Sequence, residues 1–175
     1  MENKETDLLT LKRNAILLGL CDQYRTKWDA CRSKKELVDL ALDSNGVEFM
    51  ADSMAFGWGL GKGYLLREFG EWMNGFYISR EGGYTSEMYV GAHGVQNIKS
   101  ALLLVAYCDD LEIIVPEHHV CRIYVCGGSK ARIECLGDAE VVEYGEDNDV
   151  CIIEHDGARL QHKKIISSGW TKIDI

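Results

Sequence analysis

Leu111-Glu112-Ile113-Ile114-Val115, Cys121-Arg122-Ile123-Tyr124-Val125 and Ala131-Arg132-Ile133-Glu134-Cys135 follow one another at ten-residue intervals. Written in register, the first, third and fifth residues of each are apolar. Successive side chains of a strand point to opposite faces, so this alternation predicts short β-strands with one buried face. The pieces between them, Pro116-Glu117-His118, Gly127-Gly128-Ser129 and Gly137-Asp138, are rich in turn formers. The fourth block, Val141 to Gly145, has Glu143 in its central place. Glu143 is either buried with a partner or exposed by a register shift at a bulge; the shift is preferred, since Val142 and Tyr144 then turn inward. A fifth block carries Cys151 and Ile153, and Ala158-Arg159-Leu160 reads as a last, shorter turn.

Two architectures satisfy this spacing: an antiparallel β-meander, or a β-solenoid whose coils stack their inward residues. Cys121, Ala131 and Cys151 put small residues at one block position, which favours a narrow solenoid interior. The expectation is a short stack of about four to six strands. Its open end needs a cap, charges or a partner.

Upstream the period changes. Leu8, Leu11, Ala15, Leu18, Cys21, Tyr24 and Trp28 recur every three or four residues and form one apolar helical face. Ser33-Lys34-Lys35-Glu36 is a capping box, with the serine accepting from the amide three residues on and Glu36 reaching back to the cap amide. Asp43-Ser44-Asn45-Gly46 stops that helix. Further helical runs pass through Val47, Met50, Met54 and Trp58, then Leu65, Leu66, Phe69 and Trp72. Asn74-Gly75 reads as a hairpin turn before Phe76-Tyr77-Ile78, and Glu81-Gly82-Gly83 as another. Gly91 to Gly94 is the best boundary. The fold expected is therefore α+β: a mainly helical domain over 1–92 with a hairpin at its end, then a β-repeat domain over 93–175.

The chain has 175 residues, 46% hydrophobic and 27% charged, with one proline and 18 glycines. This is a folded composition rather than a disordered one. A net charge of −9 disfavours direct binding to nucleic acid or anionic lipid. No apolar run approaches the roughly 18 residues of a membrane span, and no signal-peptide core follows the polar N-terminus, so a cytoplasmic protein is expected. Seven cysteines, an odd number without a CxxC, read as reduced thiols packed as small hydrophobes.

Chemistry-bearing motifs are scarce. Gly57-Trp58-Gly59-Leu60-Gly61-Lys62-Gly63 has the letters of a phosphate loop without its spacing or its hydroxyl. His118 and His119 are adjacent in an extended segment and point apart; His155 and His162 are seven residues apart. Neither pair amounts to a metal site, so no cofactor, metal or catalytic residue is assigned. A ligand pocket at the junction of the two halves would draw on Trp58, Tyr64, Tyr84 and His93.

Gly57-Trp58-Gly59-Leu60 with Tyr64 is one of three distinctive stretches. Asn74 to Ile78 followed by Gly83 to Tyr89 is the second, and Val115 to Tyr124 the third. With these the chain resembles, from about residue 10 to 160, a family of uncharacterised proteins of gut Bacteroides-type bacteria, often encoded near phage or mobile-element genes. The resemblance implies a helical part followed by short β repeats, and supplies no functional residue. The function expected first is a non-enzymatic module that binds a protein partner, in that setting a host protein. The alternatives are an acidic nucleic-acid mimic and a small-ligand or hydrolytic pocket between the halves. Homo-oligomerisation through the end of the β repeat is a separate expectation.

Overall fold

A computed structural model describes residues 4–17, 19–56, 60–80 and 85–169. Among these residues five helices come first: α1 (Lys4–Leu17), α2 (Asp22–Ala30), α3 (Lys34–Ala41), α4 (Gly46–Phe56) and α5 (Lys62–Phe69). Ten strands follow: β1 (Gly75–Ser79), β2 (Ser86–Val90), β3 (Gly94–Asn97), β4 (Leu102–Ala106), β5 (Leu111–Val115), β6 (Val120–Cys126), β7 (Lys130–Cys135), β8 (Asp138–Tyr144), β9 (Asp149–Glu154) and β10 (Arg159–Ile165).

The strands form a β-solenoid of two sheets. Sheet A has the order β1-β2-β4-β6-β8-β10 and sheet B the order β3-β5-β7-β9. Apart from the antiparallel β1–β2 pair, every pairing is parallel. One coil is a strand in sheet A, a corner and a strand in sheet B. The meander is thereby excluded. The ten-residue block is half a coil, so neighbouring blocks lie in opposite sheets and alternate blocks pair. Leu102 stands opposite Arg122, Val120 opposite Asp138 and Asp138 opposite Arg159, which are steps of 20, 18 and 21 residues. The stack begins well before residue 111, since β2 pairs with β4. Gly91 to His93 forms the corner between β2 and β3, and the change from helix to sheet falls between Phe69 and Gly75.

The interior follows the sequence alternation through β7. Leu111, Ile113, Val115, Cys121, Ile123, Val125, Ala131, Ile133 and Cys135 are all buried, in one cluster except for Ala131. Ile113, Ile123 and Ile133 are fully buried, each worth about 1.5–3 kcal/mol against exposure. Two expectations fail beyond that point. Cys151 is exposed, because the corner at 145–148 is one residue longer than that at 127–129 and reverses the parity of β9. Val150 and Ile152 take the inward places. Glu143 does not shift outward either: it pairs in register with Val125 and Lys164, and at 1% exposure it points inward. Val142 and Tyr144 are buried on the opposite face, under the helices. The central strands of sheet A are covered on both sides, so an apolar residue there reveals nothing about direction.

The helices form a layer on the outer face of sheet A. Val47, Ala51 and Met54 of α4 share a cluster with Leu104, Tyr124, Cys126, Val142 and Tyr144. The expected single face from Leu8 to Trp28 is split between α1 and α2. Gly19 adopts φ 95°, its amide donates to Ile16, and the Leu20 amide donates to Ala15, a Schellman end that turns the chain. The capping box holds in half. Ser33 Oγ accepts from the Glu36 amide at 3.2 Å, but Glu36 accepts from the Arg32 amide rather than that of Ser33. Asp43 accepts from the Gly46 amide at 2.8 Å and so starts α4. Gly46 also permits the close α3–α4 approach, since a Cβ there would lie 2.6 Å from the Leu40 carbonyl oxygen. Asn74-Gly75 joins α5 to β1 and is not the hairpin turn. The β1–β2 register places that turn between Ser79 and Ser86, and its centre, including Glu81-Gly82-Gly83, lies outside the described residues.

Candidate functional site

Among the described residues, the helices pack on sheet A and leave the outer face of sheet B uncovered. Parallel pairing lines up its outward side chains in rows along the stack. Val95, Glu112, Arg132 and Cys151 form one row; Asn97, Ile114, Glu134 and Ile153 form the next. Val95 is 61% exposed, and Arg132 and Cys151 are also exposed. Glu112 and Arg132 are opposite charges on adjacent strands, a stabilising cross-strand arrangement. Glu134 is held by His155, with Nε2 at 2.9 Å from Oε1. The result is a flat, mixed surface of aliphatic, charged and thiol groups on a rigid frame.

The second region is the seam between α4 and sheet A. Arg122 Nε donates to Glu140 Oε2 at 2.5 Å, and Lys163 also pairs with Glu140. The hydrogen bond from Lys163, reinforced by Arg122, holds the Glu140 carboxyl below the usual range despite partial burial. Tyr144 Oη donates to Glu48 at 3.4 Å. Asp52, 2% exposed, accepts from Ser168 Oγ at 2.6 Å and from the Gly169 amide at 2.8 Å, which fastens the chain beyond β10 onto α4. Cations pair with Glu140 here and with Asp138 through Arg159, so those two carboxylates sit in ion pairs rather than in a bare acidic stripe, while Glu48 and Asp52 accept from hydroxyl and amide donors.

The third region is an apolar cavity of about 390 Å³ among the helices. Leu11 of α1, Trp28 of α2, Val38 of α3, Phe49 of α4 and Leu65 of α5 line it. Its size lies in the range of about 300–1,000 Å³ typical of small-molecule pockets. Gln23, Asn45 and Glu48, all exposed, mark its rim. No simple periodicity in the sequence announces it, because five separate elements contribute walls.

Of the four residues expected at a junction pocket, Trp58 and Tyr84 lie outside the described residues. Tyr64 is half-buried on α5, its ring 6.3 Å from that of Phe69, and His93 is exposed in the β2–β3 corner. The described structure brings neither into the helical cavity.

The histidines are dispersed. His118 is exposed at φ 61°, while His119 Nε2 lies 2.7 Å from the Ser100 carbonyl oxygen. His162 Nε2 lies 2.6 Å from Glu143 Oε1, so stacking sends it and His155 to different carboxylates. Among the described residues, no group of three His, Cys, Asp or Glu side chains is placed to hold a metal. Burial pushes the thiols of Cys108, Cys121, Cys126 and Cys135 up, Cys121 to about 12, so they stay protonated and weakly nucleophilic at neutral pH. No described helix is long and apolar enough to cross a membrane.

No protein-family model, curated protein or solved structure matched the chain.

Proposed function

We propose that the chain is a non-enzymatic interaction protein that presents the outer face of sheet B to a protein partner. The carrying observation is the asymmetry of the solenoid. Helices cover the outer face of sheet A, whereas sheet B offers in-register rows with Val95, Ile114, Cys151 and Ile153 among charged residues. Such a face varies its outward residues without disturbing the inward stack, which suits recognition. In the mobile-element setting of the resemblance, the partner belongs to the host cell. A photo-crosslinking residue at Arg132, introduced in the native host, should trap a discrete protein adduct; one at Lys62 on the helical layer should not. Ile153→Lys should abolish the adduct. Equal trapping from both positions, or adducts indifferent to Ile153→Lys, would overturn the assignment.

Self-association through the end of the stack is a second reading, favoured by the chemistry of the last strands. β9 and β10 end the two sheets with no further strand beyond them among the described residues. Arg159, Lys163 and Lys164 already pair with Asp138, Glu140 and Glu143 of the same chain, yet β10 remains the more basic edge and β9, with Asp149 and Glu154, the more acidic one. Light scattering at tens of micromolar should then give a dimer that Lys163→Glu disrupts. A monomer would remove this reading and leave the first intact.

A further inference from the structure

We propose that the cavity among α1 to α5 binds a largely apolar small molecule ending in a hydrogen-bond donor. Its walls come from every helix. Val38 at 1% and Leu65 at 0% exposure seal its far side, and Trp28 and Phe69 add aromatic surface. Ordered water needs two to four polar partners, which this side does not provide. An apolar cavity of about 150 Å³ stays dry and accepts benzene. By that measure, 390 Å³ takes roughly fifteen non-hydrogen atoms.

The rim decides which end such a molecule carries. Glu48 is the one charged side chain among those lining the described cavity. Among the described residues no cation pairs with it, and the Tyr144 hydroxyl donates to it at 3.4 Å. A carboxylate ligand would bring like charges together, whereas an alcohol or amine would donate to Glu48. Gln23 and Asn45 add amide groups at the same rim. The ligand class is therefore a medium-length alkyl or fused-ring alcohol or amine, not a fatty acid.

The test uses the full chain with dodecylamine, dodecan-1-ol and dodecanoate, each below its micellar concentration. Native mass spectrometry and calorimetry should show one-to-one binding of the amine and the alcohol, with dodecanoate weaker by about tenfold, the scale of one near-surface charge contact. Ala41→Phe places a ring in the cavity and should abolish binding of all three. Glu48→Lys, at an exposed site, should reverse the preference so that dodecanoate outbinds the amine. Circular dichroism checks that both variants fold. Should Ala41→Phe not fold, the Glu48→Lys reversal decides. No adduct with the wild-type chain, binding unchanged by a folded Ala41→Phe, or dodecanoate binding as tightly as dodecylamine would each overturn the proposal. None of these outcomes bears on the sheet B face, which lies on the other side of the solenoid.

Discussion

Glu143 occupies an inward place that an aliphatic side chain fills in the preceding coil, Val125. His162 Nε2 lies 2.6 Å from one of its oxygens and Lys164 Nζ lies 3.6 Å from the other, both partners coming from β10. Buried ion pairs recover little net energy after desolvation, but they do discriminate between registers. Glu143→Val should therefore leave stability in urea within about 1 kcal/mol. Hydrogen exchange should nevertheless become faster across Arg159–Ile165. A loss above about 3 kcal/mol would show that the pair carries net stability. Tyr107 poses a different problem. It adopts φ 55° at the corner after β4, where Gly91, Gly127 and Gly145 fill the equivalent places at positive φ. Its ring lies over Gly127, where an added Cβ would come within 2.6 Å, and its hydroxyl donates to the Leu60 carbonyl at 2.8 Å. Gly127→Ala should cost about 1–3 kcal/mol in chemical denaturation, and a second change, Tyr107→Gly, should recover part of that loss.

Alkaline pH tests the same buried groups. Burial raises Tyr107 to about 12 from 10.0 and Cys121 to about 12 from 9.0. Both groups hold their protons longer when folded than when unfolded. Their stabilising contribution is complete below pH 9, and it declines from there for the thiol and from 10 for the phenol as pH rises towards 12. The urea midpoint should fall across that window, and less steeply in Cys121→Ala. A flat profile would contradict the burial of both.

At the scale of elements, two of the polar ties that hold the helical layer centre on buried carboxylates. One runs from Asp39 of α3 to Tyr77 of β1, at 2.8 Å. Burial raises the Asp39 carboxyl, but hydrogen bonds from Lys35, Tyr77 and Ser79 outweigh it and bring the group below its ordinary value. The other runs from Asp52 to Ser168 and Gly169. Asp52→Ala removes two hydrogen bonds to a buried carboxylate. It should cost about 1–3 kcal/mol and speed proteolysis after β10; unchanged cleavage would show that this tie does not secure the segment.

What could be read from the sequence follows the same lines. The strands of sheet B announced themselves because one face meets water and the other the interior, as the alternation at 111–115 and 131–135 records. β2 and β4 are legible as strands, from the alternation of Tyr84 to Val90 and the apolar run Ala101 to Cys108, but not as faces: Ser86–Val90 is buried at every position, and Leu102–Ala106 is an unbroken apolar run. Coil pairing stayed hidden because successive half-coils look alike although they belong to different sheets. The helical cavity was illegible for a related reason: its lining is assembled from separate helices, each of which contributes only a few residues. The Cys151 error turned on a single extra corner residue, which no propensity registers.

At the scale of the whole molecule, the two sheets differ in how much change they can absorb. In β6 and β8 one set of side chains fills the interior and the other meets the helices, so nearly every position is constrained by packing beyond the more exposed strand starts. In β5, β7 and β9 the outward residues touch no described helix. A library of single substitutions scored only for folding should show continuous intolerance along β6 and β8 but alternating tolerance along β5, β7 and β9. The same library scored in the native host carries separate information. Positions that are free for folding but constrained in the host would outline the contact made by sheet B, since stability alone leaves them open to drift.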